Sequence, residues 1–259
     1  MFKKIRVTIL LMILLSVALS AWRTQDKAAE WKVGQYVYLY PVDTGVDEYT
    51  SEYIKSINGD SWQGMQQFFS REAEAYGLKL STPIRVMAGP PISVAPPAMP
   101  SKPSMLATMW WSLQLRWWAW RHTPETAVKP DARIYLLYHE GEPGAVLPHS
   151  IGIAKARLGL ANLFATSAME GSNQVVIAHE LLHIYGANDH YDRASNQPIF
   201  PQGFAEPEQV PLYPQSKAEL MAGRIALDEN RSVIPVSLDE VLIGETSARA
   251  IGWIKQPDN

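Results

Sequence analysis

Two periods of apolar residues divide this chain into alternating strands and helices. Residues 31–43, WKVGQYVYLYPVD, have the aromatic and β-branched content of a first strand, ended by Pro41. The period then changes. Trp62, Met65, Phe69, Ala73 and Tyr76 recur at helical spacing, which predicts a helix over 60–76 that backs onto a sheet. Asp60 and Gln63 fit a capping box at its start, and Gly77 stands where it would stop. PIRVMAG, residues 83–89, reads as a second strand. Residues 90–103 hold six prolines in fourteen positions and form a surface loop or arm. Too little chain precedes that arm for it to be a domain boundary.

Residues 104–122, SMLATMWWSLQLRWWAWRH, are apolar on two sides. Leu106, Met109, Trp110, Leu113, Trp117 and Trp120 share one face, and Trp111, Leu115 and Trp118 form a stripe opposite. The expectation is a central helix packed between sheet and loops. The other reading leaves one face for a partner or for lipid headgroups.

ARIYLLYHE, residues 132–140, is the clearest strand. Residues 150–165 alternate weakly around Gly152, Lys155 and Gly159 and read as one edge strand with a bulge. SNQVVIAHELLHIYG should be a helix begun by Ser172 or Asn173 and ended by Gly186, with Val175, Ala178, Leu182 and Tyr185 on its buried side. Residues 237–253 look like a C-terminal helix capped by Ser237 and Glu240. Alternating strands and helices predict an α/β or α+β layer architecture, and no internal repeat argues for a solenoid.

The N-terminus sets the compartment. Lys3, Lys4 and Arg6 precede an apolar run from Val7 to Leu19, the layout of a secretory signal peptide or an N-terminal membrane anchor over residues 1–21. Residues 7–22 approach the shortest length that spans a bilayer, so membrane association through them is the alternative to cleavage. In both cases the remainder, a domain over 31–255, is exported to a periplasmic, secreted or membrane-anchored position. Removing residues 1–20 leaves 20 basic residues against 26 acidic. With no basic run elsewhere, nucleic acid has little electrostatic purchase. The chain has no cysteine, so thiol nucleophiles and thiolate metal sites are excluded. Neither a phosphate-binding glycine loop after a strand nor a serine-hydrolase elbow is present.

Residues 179–192, HELLHIYGANDHYD, contain three of the six histidines. His179 and His183, four apart on a helix, project from one face, where two imidazoles can hold one metal ion. Glu180 adjoins them and can reach a metal-activated water without being a ligand. Gly186 lets the chain leave the helix sharply, so that Asp189 can return as a third ligand. His190 is the neighbouring alternative. His122, His139 and His149 have no spacing partner, although His149 lies where it could border a cleft.

His179-Glu180-x-x-His183-x-x-Gly186-x-x-Asp189 resembles the extended zinc signature of the metzincin metallopeptidases, in the form ending in Asp. The resemblance has real specificity only over residues 179–189. It implies a zincin-like single catalytic domain: a mixed twisted sheet with an edge strand over the cleft, a backing helix, an active-site helix and a mostly helical C-terminal part. It implies Zn²⁺ on His179, His183 and Asp189, with Glu180 as general base and a peptide or protein substrate. Met221, followed by Ala222 and Gly223, is the candidate for the methionine turn that metzincins place beneath the metal. Gly223 stands where some of them carry a tyrosine. A different zincin arrangement would take its third ligand from Glu219 or Glu240. The rival readings are an envelope protein that binds metal without cleaving anything and a membrane-associated scaffold with Trp111 and Trp118 in the lipid interface.

Overall fold

The central sheet joins the segments in which apolar residues alternate with period two. This computed structural model describes residues 31–57, 59–102, 104–141 and 145–254, together with positions 6, 8, 11, 12 and 15. The expected export segment otherwise lies outside the described residues. Strands β1 (Gln35–Pro41), β2 (Ile84–Ala88), β3 (Ala132–His139), β4 (Ile151–Ile153) and β5 (Leu158–Phe164) form one mixed sheet in the order β2-β1-β3-β5-β4. The first four members of that order are parallel, and β4 runs antiparallel to β5 at the edge.

Alternation along the strands sorts side chains between two cores. Val37, Leu39, Ile134, Leu136, Ala161 and Leu163 face one side. There they meet α1 (Glu48–Ser56), α2 (Gln63–Ala75) and α4 (Glu170–Tyr185). Tyr38, Tyr40, Tyr135, Leu158 and Leu160 face the other side, covered by α3 (Met105–His122). Trp31 closes the first core from the N-terminal end. Its Nε1 donates to the Ile251 carbonyl at 2.6 Å, and its ring packs against Tyr185 and Trp253.

Several expectations need correction. Helix α1 has no counterpart in the apolar pattern, because its sequence, EYTSEYIKS, buries only Ile54; the Asp47 cap, bonded to the Tyr49 and Thr50 amides, is its local signal. The α2 helix starts after a 3-10 turn (Gly59–Trp62), and its N-cap Trp62 provides no side-chain cap. The side chain of Asp60 lies outside the described residues.

The single edge strand expected over 150–165 is two strands. A 3-10 turn at Ala154–Ala156 and a left-handed Arg157 (φ 52°) reverse the chain, so only β4 is the edge while β5 is interior. Helix α4 starts at Glu170, ahead of Ser172 and Asn173. Asn173 instead bonds both backbone groups of Phe164, tying the helix to the end of β5.

The C-terminal part is not mostly helical. It comprises extended loops, the two-residue pairs β6 (Ala218–Glu219) with β9 (Val241–Leu242) and β7 (Ile225–Ala226) with β8 (Ser232–Val233), and one short helix, α5 (Glu245–Ala250). Ser237 caps only a 3-10 turn, Leu238–Glu240, because the chain pairs as β9 directly afterwards. Nor is α3 buried on both faces. Trp111, Leu115 and Trp118 pack inward, whereas the face from Leu106 to Trp120 is open to solvent. This removes Trp111 and Trp118 as lipid-facing residues. Among the described residues no helix is long and apolar enough to cross a membrane.

Candidate metal centre

The C-terminal turns of α4 present His179 and His183 on one side, with ring centroids 4.7 Å apart. The helix stops at Gly186, whose φ of 107° is a left-handed conformation that a side chain would oppose. Ala187 N then bonds Leu182 O at 3.0 Å, turning the chain back along its own helix. Three residues after Gly186, Asp189 arrives at the histidines. Its Oδ1 lies 3.3 Å from His179 Nε2 and 2.9 Å from His183 Nε2. Among the described residues these are the only three His, Asp or Glu side chains able to share one ion, with ligand atoms within 4.8 Å of one another.

Hydrogen bonding decides which ring atoms are available. His179 Nδ1 lies 2.9 Å from Leu220 O, and His183 Nδ1 lies 2.9 Å from Ala187 O. A carbonyl oxygen only accepts, so each Nδ1 carries the proton and each neutral ring keeps its lone pair on Nε2. Both lone pairs then converge on Asp189 Oδ1, which is buried and has no hydrogen-bond donor. Three acceptors aimed at one point repel each other unless a cation or an added proton lies among them. Two imidazoles and a carboxylate, with no thiolate, suit Zn²⁺. The residues present therefore fit the implied metal.

Without a metal, the site balances by protonation. Burial disfavours the charged form of His179, but Asp189, Glu180 and the Leu220 carbonyl outweigh it and raise its pKa above the usual value. Burial alone would also raise Asp189; the two imidazoles overcome this and hold its carboxyl far below the carboxylate range. Arg193 approaches the outer oxygen of Asp189 at 3.4 Å.

Glu180 is 5% exposed, and its Oε2 is buried with no hydrogen-bond partner. Burial raises its pKa above the usual carboxylate value, against the opposing pull of His179 and His183. Glu180 and His179 open onto a cleft of about 230 Å³, walled by Val175, Val176 and Ile234 and rimmed by Ser150, Tyr191 and Arg224. Ser150 immediately precedes the edge strand β4, so the sheet edge reaches the cleft. The strand can approach because residue 152 is glycine: a Cβ there would stand 2.6 Å from His183 Cβ and 2.4 Å from Glu180 O.

Met221 is fully buried in a turn closed by the Ala222 and Gly223 amides on Glu219 O, with Gly223 at φ 67°. This turn supports the site through its backbone. Leu220 O holds His179, and Met221 O accepts from His190 N at 2.9 Å. His190 does not join the cluster; its ring faces Glu219, with Nδ1 3.4 Å from Oε2. Glu219 is fully buried and occupied as an acceptor for Ala222 N, Gly244 N and Ser247 Oγ. Glu240 accepts from Val236 N. His149 is exposed outside the cleft, His139 bonds Asn162, and His122 packs beside Trp117 and Trp118.

Tyr191 is the site residue that sequence reasoning passed over. It lines the cleft with its ring 6.5 Å from that of His179. Burial and the neighbouring Asp189 raise its hydroxyl pKa. It stands two residues after Asp189, inside the same histidine-rich stretch, and that proximity was the available signal. No protein-family model matches the chain, and no curated protein does either.

Proposed function

We propose that this chain is an exported, zinc-dependent metallopeptidase resembling the metzincins. The observation that carries the reading is the convergence of His179 Nε2, His183 Nε2 and Asp189 Oδ1 beside a buried, unbonded Glu180 carboxylate, at the wall of an open cleft. Zinc held by His179, His183 and Asp189 would supply a Lewis acid that acidifies water and polarises a carbonyl.

The chain's own residues supply the rest. Glu180 accepts a proton from the attacking water and later delivers it to the leaving amine nitrogen as the carbon–nitrogen bond breaks. A carboxylate with a raised pKa serves that double duty better than an unperturbed one, because it holds the proton until the amine takes it. Tyr191 offers a hydroxyl donor at the cleft for the oxygen that gains charge. An extended substrate would lie along the cleft, with the outer edge of β4 available for backbone pairing.

The proline-rich arm bears on the rival reading of a metal binder with a closed site. Its Pro97 carbonyl accepts from Trp111 Nε1, and Ile92 is buried beside α3, on the opposite side of the sheet from α4. No described residue of the arm lines the cleft. This favours the enzyme.

The test is hydrolysis of a quenched-fluorescent peptide library and of casein by the zinc-loaded full chain. Cleavage that disappears in Glu180→Gln while zinc remains bound would support the proposal. Wild-type rates in Glu180→Gln would refute it.

A further inference from the structure

On the far side of the sheet from the metal centre, two features that this mechanism does not use meet at helix α3. The first is its outward face. Leu106, Met109, Trp110, Leu113, Trp117 and Trp120 are each more than half exposed. At 3.6 residues per turn they fall within an arc of roughly 100°, along a helix about 27 Å long. Arg116 and Arg121 flank that arc on either side. A face holding three tryptophans with no polar residue among them is unlike the surface of most soluble domains.

The second feature is charge. From residue 75 to residue 124 the chain contains no Asp or Glu, although 26 occur in the whole sequence. The same stretch carries Lys79, Arg85, Lys102, Arg116 and Arg121. At the C-terminal end of α3 a cavity of about 770 Å³ is lined by Arg116, Lys129, Arg133 and Lys155, with Glu125 as its only carboxylate among the described residues. None of the four cations forms an ion pair with a described residue. The Nε atoms of Arg116 and Arg133 are buried with no hydrogen-bond partner, an expensive state unless an acceptor enters. Trp120 and Arg116 belong both to α3 and to the cavity wall, so the apolar face and the cationic cavity are continuous.

We propose that α3 docks the protein on an anionic phospholipid bilayer. The tryptophan face lies in the headgroup–acyl boundary, and a phosphate-bearing headgroup enters the cavity to accept from Arg116 and Arg133. Lipid is favoured over a protein partner by the pairing of an apolar strip with a predominantly cationic margin, four cations to the one carboxylate of Glu125, the composition of interfacial helices. This inference does not rest on the peptidase reading, because it uses the opposite face of the sheet.

The absence of cysteine makes a direct test possible in the full chain. Leu113→Cys carries a single environment-sensitive NBD label on the face, and Val146→Cys, 97% exposed on a loop, carries the control. On vesicles of phosphatidylglycerol and phosphatidylcholine the label at 113 should shift to the blue and brighten several-fold. On pure phosphatidylcholine it should respond weakly, and the label at 146 should not respond. Reversing Lys129 and Lys155 to Glu should weaken the response to anionic vesicles by roughly tenfold. No response at 113, an equal response on neutral vesicles, or full retention in the reversed variant would overturn the proposal. So would brightening that rises with protein concentration without lipid, which would make the face a self-association surface. Thermal stabilisation by inorganic phosphate with no vesicle response would leave only a free-anion site.

Discussion

At the residue scale, two carbonyl oxygens determine what the histidines can do. Leu220 O and Ala187 O each hold one Nδ1 proton, which turns both Nε2 lone pairs toward Asp189. Asp189→Ala should therefore lose most zinc affinity, by 10-fold or more, whereas His190→Ala should keep it because that ring faces Glu219. Elemental analysis of both variants separates the two outcomes. Glu180→Gln should retain zinc and lose roughly 10²–10⁴ in turnover.

The pH dependence follows from the raised His179 pKa. In the metal-free chain the protonated ring contributes stability that is complete below the unfolded value and is lost as pH rises through the folded one. Zinc requires the neutral ring, so its effect runs the other way. The melting-temperature gain on adding zinc should be larger at about pH 8.5 than at about pH 5.5. A gain independent of pH would contradict a histidine-held metal.

The site was legible in the sequence to the extent that its residues lie on one helix and its exit. The spacing of His179, Glu180, His183 and Asp189 along that helix and its exit is enough to bring them together. What could not be read was the support reaching in from residues 219–221 and the place of Tyr191, because both depend on how a distant turn meets the helix.

At the scale of elements, the connection from α4 to Asp189 depends on Gly186. Gly186→Ala forces a side chain into the left-handed region, at a cost of about 1–2 kcal/mol. It should also weaken zinc binding, since Asp189 follows directly from that turn; thermal melts and zinc titration read the two effects separately. A second dependence is Glu219. Its carboxylate accepts from three donors, two of them buried, in β6's own turn, at the residue before α5 and in α5 itself. Glu219→Ala would leave Gly244 N and Ser247 Oγ unpaired, while Ala222 N keeps the Glu219 backbone carbonyl, at a cost of about 3 kcal/mol or more. For a chain of this length that lowers the melting temperature by roughly 6–12 °C. Glu219→Gln, which keeps a carbonyl acceptor, should fall by much less.

Element types were readable wherever the apolar period was long. The strand over 132–140 and the helix over 104–122 appear with bounds close to those expected. The 150–165 segment misled because its reversal depends on Arg157 adopting φ 52°, a conformation that residue type does not advertise. The two apolar faces of α3 suggested burial on both sides, yet the fold supplies only one neighbour.

For the whole molecule, the α/β layer architecture was foreseeable from alternating strands and helices. The part after Gly186 was not. It is built from two-residue strand pairs and turns whose stability comes from long-range bonds such as Tyr76 Oη to Ile243 O and Ile243 N to Glu72. Such contacts leave no periodic trace in sequence. Because α4, the 219–223 turn and the 189–191 segment all bear on the candidate metal centre, a bound ion should stabilise the molecule as a unit. Zinc at 100 times its dissociation constant would add about 2.7 kcal/mol, and a chelator would remove it. The most direct measurement is the zinc content of the purified full chain and of Asp189→Ala after equilibration with equimolar zinc. We expect equimolar metal in the wild type and little in the variant. A wild-type chain that holds no zinc, or an Asp189→Ala chain that holds as much, would contradict the metal centre and the peptidase chemistry that depends on it.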